Sequence, residues 1–159
     1  MPYILDSNSF IQPKNTAYSF EVVPAYWEWL RESNRRGIVF SIKKVEAELL
    51  DYQDDLSKWV KKCDENFFIH ADGDTAPHLK VVAQWVQDHA SYTEAAKQKF
   101  YRGADYYLVA QARALGYTLV TFEKKENSVH RVKIPNVCDG VGVKYCNLYQ
   151  MLKTEGAKF

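Results

Sequence analysis

The sequence predicts an α/β domain with a mainly parallel central sheet flanked by helices, and three observations lead there. Short apolar runs at 3–5, 38–40, 67–69 and 117–122 alternate with stretches of helical spacing. No two of these runs are joined by a tight hairpin signal, so the strands require crossover connections. The 159 residues are 47% hydrophobic and 14% aromatic, which excludes a disordered chain and suffices for one domain, expected over 1–159.

Taken in order, Tyr3, Ile4 and Leu5 read as a buried strand that ends at Asp6. Ser7 to Ser9 and Gln12 to Asn15 carry loop chemistry. Pro24 suits an early helix position, and the helix it opens ends on Arg35, Arg36 and the stop at Gly37. After the second run, Ile42, Val45 and Leu49 recur at helical spacing, and a polar helix or helix pair continues to Lys62. Pro77 opens a helix to about His89, and another is expected over 92–102. Gly103 and Gly116 bracket the clearest helix. The strand that follows, YTLVTF, is rich in β-branched and aromatic residues. A basic loop leads to Ile134, Pro135 and Asn136; a last strand is expected within 141–146, and a short helix over 149–152.

The formal net charge is +1, which argues against a nucleic-acid binder working by bulk charge alone. That total conceals two opposed parts: residues 1–96 carry 15 acids and 10 bases, residues 97–159 carry 5 acids and 11 bases. The split hints at an acidic site with a basic surface elsewhere, though taken alone it reads first as ordinary surface patterning. Three cysteines without C-x-x-C spacing fit a reduced chain. Four histidines without paired spacing exclude a Cys/His zinc motif, so a metal would have to be held by carboxylates. No run approaches ~20 apolar residues, and the start lacks a secretory pattern, so a cytoplasmic protein without a membrane partner is expected.

In an open parallel sheet, ligands bind beyond the carboxyl ends of the strands. Asp6 follows the first strand and Glu123 follows the best one, so both belong at that rim. Asp105 lies in the first turn of its helix, where the dipole favours a carboxylate; Leu108, Ala112 and Leu115 follow it along one face expected to pack on the sheet. Glu46 and Glu48 are ~200° apart on a helix and cannot serve one site together. Glu48 borders the apolar face beside Leu49 and is placed in the crevice, with Glu46 in water; the register of the helix acid stays open. Converging carboxylates call for a compensating cation, and oxygen-only ligands favour Mg²⁺ or Mn²⁺. Singly, each acid reads as well as a cap, a solvated position or a surface ion-pair partner.

In order along the chain, four segments resemble the motifs of PIN-domain nucleases. They are Asp6-Ser7-Asn8, Glu48-Leu49, the run from Ala104 to Ala112 (ADYYLVAQA) and Leu119-Val120-Thr121-Phe122-Glu123. The stretch from Lys133 to Asp139 further resembles a bacterial PIN-like subfamily. The resemblance implies a Rossmann-like three-layer fold and a Mg²⁺- or Mn²⁺-dependent endoribonuclease. It also implies a toxin of the VapC type held inactive by a co-encoded antitoxin, which would dock across the helices of 17–62; a homodimer stays open. Asp6, Glu48, Asp105 and Glu123 would be the catalytic, metal-holding carboxylates, and Ser7, Asn8 and Thr121 would orient them or the phosphate. Glu123 departs from the Asp common in the family. The other reading is a non-catalytic PIN-like module for RNA binding or protein interaction. Haloacid-dehalogenase-like phosphatases would want a second Asp at position 8, where Asn8 stands, and response-regulator receivers an acidic pair near the start.

Away from the acids, Lys97, Lys99, Arg102, Lys124, Lys125, Arg131 and Lys133 are candidate phosphate contacts, and Tyr101, Tyr106 and Tyr107 candidate base platforms. The same residues read equally as a solvated face and a half-buried tyrosine cluster.

Overall fold

A computed structural model describes residues 1–159. Five parallel strands lie in the order β3-β2-β1-β4-β5, where β1 is Tyr3–Leu5, β2 Val39–Ile42, β3 Phe68–Ile69, β4 Thr118–Val120 and β5 Tyr145–Cys146. The chain builds outward from β1 through β2 to β3, then returns to the other side of β1 with β4 and β5. The order therefore reverses between β1 and β4, where register pairs Tyr3 with Thr118 and Leu5 with Val120. Every residue of β1 and β4 is buried, so both faces of the sheet are covered. The result is a three-layer, Rossmann-like α/β fold.

Nine helices surround the sheet: α1 Asn8–Asn15, α2 Pro24–Arg35, α3 Lys43–Asp51, α4 Asp55–Lys62, α5 Ala76–Asp88, α6 Glu94–Arg102, α7 Ala104–Leu115, α8 Ile134–Val141 and α9 Leu148–Thr154. None is long and apolar enough to cross a membrane. α7 is the central one, touching β1, β2 and β4 while α5, α6 and α8 pack against it. Its continuous buried set, Leu108 through Ala112, reflects contact on nearly all sides. Leu115, expected on the sheet face, is instead 42% exposed, because the last turn emerges before Gly116 reverses the chain at φ +70°. Trp27 and Trp59 are buried in an aromatic cluster with Phe10 and Phe67, while Trp29 and Trp85 are half-buried at its margins and elsewhere.

Four local expectations change. Residues 8–15 form α1 in place of a loop, with Pro13 inside it. Phe10 anchors this helix in the core, and Lys14 ties it to Asp54, the cap of α4, at 2.6 Å. Ile42 ends β2 and does not start the helix, because Ser41 and Ile42 pair with Phe68 and Ile69. Residues 134–141 form α8, where no helix was expected. Val141 ends that helix, so the last strand is only Tyr145–Cys146. Strand β4 stops at Val120, and Thr121 and Phe122 lead out of the sheet.

Candidate functional site

The reversal between β1 and β4 opens a crevice at the carboxyl ends of these strands, and Asp6 is the first side chain beyond β1. Its backbone N–H donates to the Val120 carbonyl at 3.0 Å, which locks it against the end of β4. Its Oδ1 accepts both the Ser9 backbone N–H at 2.9 Å and the Ser9 hydroxyl at 2.8 Å. A carboxylate accepting an N–H three residues on is a helix cap, so Asp6 also starts α1. The buried Thr121 acts with Ser9 to lower the pKa of the same carboxylate, and its hydroxyl accepts the Glu123 backbone N–H at 3.0 Å. Burial nevertheless wins over these contacts and pushes Asp6 up to about 6.

Asp105 enters from the first turn of α7, which Gly103 and Ala104 bring to the same end of the sheet. Burial first, then the charges of Glu123, Asp6 and Glu48, push it up to about 7, with only Arg131 acting the other way. Of the four expected acids, Asp105 and Glu48 line one cleft, while the charges of Glu123 and Asp6 act on Asp105 from outside it. They come from four separate parts of the fold: the end of β1, α3, the start of α7 and the segment after β4.

Glu123 is the most enclosed of the later pair, its side chain 9% exposed. Its Oε1 accepts the first N–H of α8 from Ile134 at 3.2 Å, and its Oε2 lies 3.8 Å from the Arg131 guanidinium. The carboxylate thus serves the positive end of α8 as well as the crevice. Glu48 is exposed on the rim, in a cleft of about 170 Å³ that it lines with Lys99, Phe100, Asp105, His130 and Arg131 among others. Glu46 turns elsewhere, as its helix angle demands, yet it is not simply in water: it is half-buried and pairs with Lys43 at 3.2 Å.

Of the expected orienting residues, Thr121 is buried and touches Asp6. Ser7 is half-buried before α1 with no side-chain cap bond, and Asn8 is exposed in the first turn. Ser9 performs the orienting contact. Its signal was an Asp-x-x-Ser spacing at a helix start, invisible while residues 8–15 read as a loop. His130 was also missed, and nothing in its polar loop singled it out.

The basic residues divide sharply. Lys97 is buried and donates to the Gln87 carbonyl at 2.9 Å, so it braces α6 and cannot reach a ligand. Arg102 donates to Gln98, Lys125 pairs with Asp139 and Lys133 with Glu126. Lys99 and Arg131 line the acidic cleft, and Lys124 lines a neighbouring one with Thr121, Glu123 and Gln150. Tyr101 and Tyr106 spend their hydroxyls on the carbonyls of Ala83 and Leu79, and Tyr107 lies under the Lys44 ammonium at 4.4 Å. The thiols are unpaired; burial pushes Cys63 and Cys138 up to about 12 and Cys146 to about 11, which leaves them poor nucleophiles.

Carboxylate oxygens without a matching number of cations suit a hard divalent ion such as Mg²⁺ or Mn²⁺. The donor chemistry fits. The arrangement is open, though: no three His, Cys, Asp or Glu side chains stand close enough to hold one ion together. Coordination at ~2.0–2.6 Å would therefore require the acids to draw in.

Fold and site together define a Rossmann-like α/β protein with a carboxylate crevice at its topological switch point. The chain belongs to the family described as a domain of unknown function, DUF4411, whose model matches residues 3–159. No curated protein and no solved structure matches it.

Proposed function

We propose that this chain is a Mg²⁺- or Mn²⁺-dependent endoribonuclease of PIN type that works in the cytoplasm as the toxin of a toxin–antitoxin pair. The observation that carries the reading is the placement of the acids: Asp6 is held against the end of β4, and Asp105 and Glu48 line one cleft at the same end of the sheet. Four acids with one arginine between them at the place where parallel α/β sheets bind ligands suit a cation better than a structural ion pair. The order of the four motifs along the chain supports the PIN resemblance, and the family model neither names nor opposes an activity.

In this reading Asp6 and Asp105 would be the principal ligands, with Glu48 and Glu123 completing the set. A bound divalent ion supplies an activated water and steadies the charge of an in-line displacement at phosphorus. Ser9 holds the Asp6 carboxylate in one orientation through two hydrogen bonds, so it is ready before ligand arrives. Asp105 is raised to about 7 while the crevice holds no cation, and an ion bound there would favour its carboxylate form. Water oxygen bonds to phosphorus as the P–O3′ bond breaks, and the departing oxygen gains a proton, leaving the 5′-phosphate and 3′-hydroxyl that the resemblance implies. Lys99 and Lys124, in no ion pair, and Arg131, paired only with Glu123, line the clefts around the acids and would hold flanking phosphates.

The test is cleavage of single-stranded RNA by purified protein with Mn²⁺ and with EDTA. Metal-dependent cleavage that disappears in Asp6→Asn supports the proposal; equal cleavage by that variant refutes it. One observation favours the second reading, a non-catalytic RNA-binding or protein-interaction module: no three acids stand within reach of one ion. A Mn²⁺ titration separates the two, since the module would bind RNA without binding metal.

A further inference from the structure

The crevice holds four acids and one guanidinium within ion-pair distance of any of them. Arg131 sits on the loop between β4 and α8, lines the cleft beside Glu48 and Asp105, and reaches Glu123 Oε2 at 3.8 Å. That distance is about 1 Å longer than a charge-assisted hydrogen bond. The Arg131 side chain is 55% exposed, so charge holds it there with little packing to trap it. Of the other cations of its loop, Lys125 and Lys133 are engaged with Asp139 and Glu126, and Lys124 lines the neighbouring cleft without an ion pair. Glu123 has a second, firmer partner in the Ile134 N–H, so it keeps its place if the guanidinium leaves.

We infer that Arg131 is the protein's own counter-cation in this crevice, balancing the carboxylates while no divalent ion is bound and passing to a substrate phosphate once one is. The inference rests on the nuclease reading above and adds a role for a residue outside its ligand set. A planar guanidinium suits both positions, since it can pair with a carboxylate or a phosphate through two parallel hydrogen bonds. Arg131 lines the open cleft as well as reaching Glu123, so a swing of its exposed side chain would carry the guanidinium from one to the other. Without this residue the metal-free crevice is less balanced, and a cation entering it meets no positive charge to displace.

The experiment compares Arg131→Gln with Lys99→Gln, which removes an equal charge from the same rim but from a residue in no ion pair. Calorimetry with Mn²⁺ should give roughly tenfold tighter binding to R131Q, and a change within about twofold for K99Q. Anisotropy of a short fluorescein-labelled single-stranded RNA, with Ca²⁺ in place of Mn²⁺, should give roughly tenfold weaker binding to R131Q. Urea unfolding in EDTA should place the R131Q midpoint below wild type. Tighter metal binding in a less stable protein is the signature, because a merely structural arginine would lower both. Unchanged or weaker Mn²⁺ binding by R131Q, an equal gain in K99Q, or unchanged RNA binding by R131Q overturns the inference alone. Wild-type protein that binds no Mn²⁺ removes the nuclease reading and this inference together.

Discussion

Replacing Asp105 by Asn keeps the shape of the side chain and removes a charge that the fold resists. The carboxyl moves from its ordinary 3.8 to about 7 because it is buried and faces Glu123, Asp6 and Glu48. The sign follows from proton binding: between about pH 4 and 7 the unfolded chain gives up this proton while the folded one keeps it. Stability contributed by the retained proton is therefore lost as pH rises through that window, and is fully lost above it. Each pKa unit is worth ~1.4 kcal/mol, so the full strain is about 4 kcal/mol, and about 2–4 after allowing for partial solvent access and relaxation of the neighbouring acids. Set against a domain stability of roughly 5–15 kcal/mol, that is a large fraction. The assay is urea unfolding of metal-free wild type and Asp105→Asn at pH 4.5 and pH 8. The variant should be more stable at pH 8 by about 2–4 kcal/mol, with the gap narrowing to about 1 kcal/mol at pH 4.5. Saturating Mn²⁺ should then stabilise wild type, by ~2.7 kcal/mol at a hundred times its Kd, and leave the variant unmoved. Parallel pH profiles for the two proteins would refute the claim that Asp105 is strained by the other three acids.

The remaining predictions concern the supports of the site. Ser9→Ala deletes the hydroxyl that donates to Asp6 at 2.8 Å, a contact that holds the carboxyl down, so Asp6 rises above about 6. The acidic limb of the pH–rate profile should move up by roughly one pH unit, and an unmoved limb would show that Ser9 does not set this carboxylate. Gly140→Ala places a methyl 2.2 Å from the Trp85 ring, where α5 meets α8. Overpacking of this kind costs about 1–3 kcal/mol, and thermal unfolding followed by tryptophan fluorescence should show a Tm lower by roughly 2–10 °C. An unchanged Tm would mean that the two helices part without penalty.

The parts of the fold legible beforehand were those whose local signals agree with their tertiary setting. Gly103 and Gly116 bracket α7, and its apolar residues need no distant partner to read as helical. Tyr3, Ile4 and Leu5 ending at Asp6 read as a buried strand for the same reason. Helix α8 is the contrary case. Val137, Gly140 and Val141 depress its local propensity, and it forms because Glu123 accepts its first N–H and its Gly140 lets Trp85 lie against the backbone. Helix α1 likewise depends on Phe10 reaching a cluster built by Trp59, Phe67 and Phe68, none of them near it in sequence.

The site divides along the same line. Residue types and their order placed Asp6, Asp105 and Glu123 at element ends, and helix geometry separated Glu48 from Glu46. These follow from periodicities of two and 3.6 residues, which the chain carries locally. Which acids feel one another, which serine holds Asp6, and which of seven candidate cations face the crevice were decided by packing. Lys97 and Arg131 are both basic residues near Asp105 or Glu123 in sequence, yet one is buried against a carbonyl and the other lies over the acids. Charge is a local property of the sequence, whereas burial and distance arise only when β1 and β4, more than a hundred residues apart, are brought side by side.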